Sequence, residues 1–171
     1  MTKTKAIFAG LLLCSQTAVG CDKASIALQY LAAIDAMQWD VMASHLASDA
    51  TYADPTMTYF DRAPVRLVGA EAIVEFWRTS SEASGTNDIQ YTVIACMETA
   101  GYHVVSLDLV SRVAGAFWNV NQDVIELSGR VISILRVEGD RVIEHVDYVE
   151  YSAAEETVAR LRERFGTLER R

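Results

Sequence analysis

The second half of the chain carries four runs in which apolar and polar residues alternate: Asp88 to Thr99, Tyr102 to Val113, Asp123 to Val137 and Arg141 to Tyr151. A period of two puts successive side chains on opposite faces of a strand, so these runs predict a sheet. They are separated by Ala100-Gly101, by the loop from Ala114 to Gln122, and by Glu138-Gly139-Asp140, which has the composition of a tight hairpin. Strands joined in this way form an antiparallel meander. Upstream the period changes to that of helices. Asp22 to Met37 repeats Ile26, Tyr30, Leu31 and Ile34 at helical spacing, Trp39 to Leu46 is shorter, and Ala70 to about Ser81 carries Ile73, Phe76 and Trp77 after Gly69. A lone early strand covers residues 50–55, and a last helix from Ala153 to Leu168 is apolar at Val158, Leu161 and Phe165. The expected fold is α+β: a curved antiparallel sheet wrapped as a cone around the N-terminal helices, with an extra C-terminal helix.

The 171 residues suit one domain with its own core, and a net charge of −8 with a pI near 4.8 argues against nucleic acid as a partner. Residues 1–20 read as a signal peptide rather than as fold: Lys3 and Lys5, a short apolar run from Ala6 to Cys14, then the small residues Ala18-Val19-Gly20. The domain therefore begins at residue 22 and runs to 171, and the expected location is outside the inner membrane, in the periplasm. Small residues leading into Cys21 also resemble a bacterial lipobox, which implies a lipid on Cys21 as the one membrane contact; simple cleavage after Gly20 is the rival. With Cys21 acylated, Cys96 has no disulfide partner and reads as a small core residue.

Asp54 is the first candidate for chemistry. In Ala50-Thr51-Tyr52-Ala53-Asp54-Pro55 the alternation places Tyr52 and Asp54 on one face, and Pro55 ends the strand. The alternative is an Asp-Pro turn with no further role. Two more acids sit among aliphatic strand residues: Asp108, and Asp147 on a face shared with Ile143, His145, Val149 and Tyr151. A carboxylate buried without a partner is costly and answers by raising its pKa. If Asp54, Asp108 and Asp147 converge, one can hold a proton while another stays charged, as acid–base catalysis requires. Against this, Arg112 or Arg130 neutralises Asp108, and His145 with Asp147 forms a structural pair. The loop from Thr56 to Val68, with Tyr59 and Phe60, has the length and aromatic content of a lid. Trp77 is either core or pocket wall, His45 is expected in solvent or at a cap, and Trp118 is expected on an exposed loop. The sequence has no nucleophile elbow, glycine-rich phosphate loop or clustered metal motif.

The order of elements, together with Tyr30-Leu31-Ala32-Ala33-Ile34, Asp49-Ala50-Thr51-Tyr52-Ala53-Asp54-Pro55, Gly69-Ala70-Glu71-Ala72-Ile73 and Val142-Ile143-Glu144-His145-Val146-Asp147-Tyr148, resembles the SnoaL-like branch of the nuclear-transport-factor-two-like superfamily. The resemblance covers nearly all of the chain after the leader. It implies a pocket for a small apolar molecule, cofactor-free acid–base chemistry (isomerase, cyclase, dehydratase or epoxide hydrolase type), and a homodimer through the outer sheet face as a further expectation. Ketosteroid isomerases of this superfamily have a phenol donor and a base that fall on Tyr30 and Asp54, with their second donor near Ser133. Limonene-type epoxide hydrolases match at Tyr52, Asp54, Asp108 and Asp147, but their linking arginine falls on Ser106, and Asp54 replaces an asparagine. Neither mechanism carries over whole. The competing expectation is a non-catalytic periplasmic module that binds a ligand or a protein.

Overall fold

A computed structural model describes residues 20–57, 63–118, 120 and 123–166. Helices α1 (Ile26–Asp35) and α2 (Trp39–His45) lead into β1 (Leu46–Asp54), β2 (Val65–Val68) and α3 (Ala70–Ser84). The meander follows as β3 (Thr86–Thr99), β4 (Tyr102–Ala114), β5 (Val124–Glu138) and β6 (Arg141–Glu150), and α4 (Ser152–Phe165) closes the chain. A 3₁₀ turn, Gly115–Trp118, links β4 to β5.

The six strands lie in the order β2-β1-β6-β5-β4-β3. The four long strands pair antiparallel, as the alternation predicts. Their two tight links are two-residue hairpins, and both Ala100 and Gly101 have positive φ, as does Gly139. The sheet is mixed rather than wholly antiparallel, however. The meander starts at the far edge and works back, so β6 arrives beside β1 running in the same direction. The loop expected from Thr56 to Val68 also hides β2, a four-residue edge strand paired antiparallel to β1. Helix α1 starts four residues later than expected: of the two caps the sequence offers, Asp22 and Ser25, it is Ser25 that accepts the Leu28 N–H.

Tyr30, Leu31 and Ile34 of α1 pack with Ile73 and Val74 of α3 against Val105, Leu107, Val131 and Leu135 on the concave face of the sheet. Full burial of each large side chain contributes about 1.5–3 kcal/mol, so this layer fixes the helices inside the curve. A second cluster lies at the other end of the sheet, where Leu161 and Phe165 of α4 meet Val113, Ile125 and Leu127. Gly129 marks a close approach, since a Cβ there would lie 2.6 Å from the Glu150 carbonyl oxygen. Between the two clusters the cone stays open.

One sequence expectation is overturned at the N-terminus. Cys21 and Cys96 form a disulfide, with their Cα atoms 5.4 Å apart. Cys96 is thus a bonded partner and not a lone core thiol. The Cys21 sulfur cannot carry a lipid thioether while it holds this bond. Residues 1–19 of the expected leader lie outside the described residues.

Candidate active site

The open part of the cone is a cavity of about 250 Å³. Its walls are Phe76 and Trp77 of α3, Tyr91 of β3, Leu109 of β4 and Val131 of β5, with Val158 of α4 at one side. Two carboxylates reach it, Asp54 and Asp147, and two phenols accompany them, Tyr52 and Tyr151.

Asp54 is the last residue of β1, and the strand's alternation turns it inward with Tyr52; they are 1% and 2% exposed. Both readings of Asp54 hold at once. It starts a turn, accepting the Thr56 N–H at 2.9 Å and the Thr56 hydroxyl at 2.6 Å on Oδ1, and it presents Oδ2 to the Tyr151 hydroxyl at 2.6 Å. The Thr56 hydroxyl in turn accepts the Val149 N–H at 2.8 Å, which ties the turn to β6.

Asp147 and His145 point inward from β6 and are nearly sealed from solvent. Asp147 Oδ1 accepts the Ser133 hydroxyl at 2.5 Å and lies 2.8 Å from His145 Nε2, while Oδ2 accepts the Tyr52 hydroxyl at 3.3 Å. His145 Nδ1 lies 3.1 Å from the Tyr30 hydroxyl. A neutral imidazole protonated at Nε2 satisfies every group: Tyr30 donates to Nδ1, and Nε2–H donates to Asp147. Burial pushes the Tyr30 and Tyr52 phenols well above their ordinary range, and the charge of Asp147 pushes in the same direction. Burial likewise raises Tyr91 and Tyr151, the latter helped by its bond to Asp54. These phenols therefore stay protonated near neutral pH, and those of Tyr52 and Tyr151 donate to the two carboxylates.

The expected triad of acids is a pair. Asp108 lies on the outer face, its side chain 48% exposed, and bonds to its cross-strand neighbour Arg130 at 3.2 Å. Ser106 lies on that same outer face. On β4 it is the odd-numbered set, His103, Val105 and Leu107, that turns inward. Tyr30, Ser133 and His145 stand behind the cavity wall and connect to Asp147 by hydrogen bonds, Tyr30 by way of His145, whereas Tyr52, Asp54, Trp77 and Asp147 line it. Tyr59 lies outside the described residues. Trp118 is not an exposed loop residue; it lines the cavity, and its indole N–H donates to the Ser84 carbonyl at 2.9 Å. His45 ends α2 half-buried, and burial with the nearby Arg141 charge lowers its pKa. Sequence reasoning missed Tyr91, Thr56 and the role of Tyr151. Tyr151 had a signal, four residues beyond Asp147 on the same alternating face.

The SnoaL-like domain, as a family description, matches residues 27–145. The chain belongs to that family. A proposed SnoaL-like polyketide cyclase from Shewanella denitrificans superposes with a TM-score of 0.67 at 18% identity, over 79% of this chain and 95% of that one. A protein of ketosteroid isomerase-like fold from Catenulispora acidiphila, in complex with trimethylamine, gives 0.59 at 15% identity over 78% and 92%. An epoxide hydrolase of the limonene type from M. tuberculosis gives 0.60 at 12% over 80% and 88%. No curated protein matches the chain. At these identities the likeness is one of fold, and the reaction has to be argued from this chain's own groups.

Proposed function

We propose that this SnoaL-like chain is a cofactor-free acid–base enzyme acting on a small, mostly apolar molecule held in the cavity between α3 and the sheet. One observation carries the reading: two carboxylates from distant parts of the chain reach one apolar cavity with the same arrangement. In each, Oδ1 is held by two donors and Oδ2 has a single phenol donor, Tyr151 at Asp54 and Tyr52 at Asp147. Each Oδ2 keeps acceptor capacity for a substrate proton, and each phenol stands where charge develops on a substrate oxygen.

Asp54 is the base that removes a proton or activates water. Tyr52 or Tyr151 steadies the developing oxyanion. Asp147, paired with His145 and through it with Tyr30, stores and returns the proton. The outcome is isomerisation, cyclisation, dehydration or hydrolysis, each of which needs one acid and one base. The test is turnover of a panel of small apolar ketones, epoxides and hydroxy-ketones by the parent chain, Asp54→Asn and Asp147→Asn. Losses of about 10²–10⁴-fold are expected in both variants; equal turnover in parent and variants would end the proposal. Saturable binding with no turnover by the parent would favour the binding module, a reading supported by the internal hydrogen bond that every oxygen of both acids already accepts.

We also propose that the chain is exported to the periplasm, a reading supported by the leader and by the Cys21–Cys96 bond, which suits an oxidising compartment. The outer face of β4 to β6 carries Val104, Ile132, Ile134, Val146 and Tyr148 in adjacent register, with Tyr148 46% exposed. That patch supports a homodimer through the sheet, and Ile134→Glu should shift sedimentation to the monomer; a monomeric parent excludes it.

A further inference from the structure

The disulfide has unusual company. Glu98 and His103 are cross-strand partners next to the Ala100-Gly101 turn of the β3–β4 hairpin, and Cys96 sits two residues back along β3. The ligand atoms of Cys21, Glu98 and His103 lie within 4.8 Å of one another, and none of these residues lines the cavity described above. The His103 side chain is only 6% exposed, yet its Nδ1 has no hydrogen-bond partner. The nearest acid oxygen, Glu98 Oε2, stands 3.7 Å away, too far for a hydrogen bond. Two ligands about 2.1 Å from a tetrahedral zinc ion are about 3.4 Å apart, so the gap is close to that of two atoms sharing a metal.

We propose that reduction of the Cys21–Cys96 disulfide opens a zinc site built from both thiolates, His103 Nδ1 and Glu98. The metal and the disulfide are then alternative occupants of one place on the hairpin. In the opening step a dithiol gives up two electrons and two protons; the S–S bond breaks, each cysteine sulfur takes one proton, and the dithiol closes to its own disulfide. Zinc binding then releases the two thiol protons to solvent, leaving two thiolates, one imidazole and one carboxylate around a dication. This set is soft enough to prefer zinc or cobalt over magnesium or calcium.

The test uses the full chain, reduced with dithiothreitol, desalted without oxygen and titrated with Co²⁺. The expected result is one cobalt per chain with thiolate-to-cobalt charge-transfer absorption, displaced by one equivalent of Zn²⁺, and no such absorption in the oxidised chain. His103→Gln and Glu98→Gln each lose a ligand, so each should weaken binding at least about tenfold, since even outer partners of metal sites are worth that much. Glu98 is 44% exposed, so its variant leaves the core untouched and keeps the test valid if His103→Gln fails to fold. Absence of thiolate-bound cobalt in the reduced chain overturns the proposal, as does binding by both variants as tight as the parent's.

Discussion

Asp147→Ala and Asp108→Ala remove the same functional group from opposite faces of one sheet, and the two should behave in opposite ways. Asp147 is 3% exposed, and three donors converge on it: the Ser133 hydroxyl, His145 Nε2–H and the Tyr52 hydroxyl. Truncation leaves all three without this acceptor in the buried interior. Each unpaired buried donor costs about 1–3 kcal/mol. The two hydroxyls can turn toward other acceptors, while His145 Nε2–H is left facing the space the carboxylate filled. Removing a buried charge returns part of the loss. A net destabilisation of about 4 kcal/mol follows, a large fraction of the about 5–15 kcal/mol that holds a domain together. Asp108, bonded to Arg130 at the outer surface, should cost no more than about 1 kcal/mol. Guanidinium unfolding followed by far-ultraviolet circular dichroism measures both. In the double variant with Ser133→Ala, the Asp147 cost should fall by about 1 kcal/mol through lost coupling. If the two aspartates prove equally cheap, Asp147 is solvated and the buried relay does not exist.

Two further perturbations probe the same interior. The Tyr30 and Tyr52 phenols have folded pKa values raised above the 10.0 of an unfolded chain, so their contribution to stability is fully present below pH 10 and is lost as the pH rises beyond it. At pH 11 the two together should lower stability by about 3 kcal/mol, with Tyr91 and Tyr151 adding in the same sense. Phenolate absorbance from these residues should therefore appear together with loss of the circular-dichroism signal; gradual phenolate formation near pH 10 in a still folded chain would contradict their burial. The disulfide spans a sequence separation of 75, for which chain entropy gives about 4.5 kcal/mol. Reduction, or Cys96→Ser, should thus lower Tm by about 10–15 °C in calorimetry. The intact mass of the chain should show two cysteines joined, and a lipid mass on Cys21 would refute the bond.

What the sequence made legible, and what it hid, follows from one physical rule about strands. Where a face is apolar and its opposite polar, alternation says which side is inside; where both sides are partly apolar, the period survives but its phase is lost. β1 has a clear phase, since Asp49 is exposed while Ala50 and Tyr52 are buried, so Tyr52 and Asp54 could be placed together from residue order alone. β4 does not: Val105 and Leu107 fill its concave side, yet Val104 and Val110 occupy the convex one, so alternation alone left the orientation of Asp108 open. Of the two arginines that could neutralise it, the register selects Arg130, its cross-strand partner, over Arg112. The Ser133–Asp147 bond depends on a pairing between β5 and β6 that likewise exists only once the hairpin closes. The resemblance to epoxide hydrolases, which implied an inward Asp108, did not supply the missing phase, since Ser106 and Asp108 both face outward. The acid that remains opposite Asp54 is therefore the one whose strand carries His145 two residues earlier on the same face. That neighbour, rather than a second carboxylate, is what holds Asp147 Oδ1 in place beside the cavity.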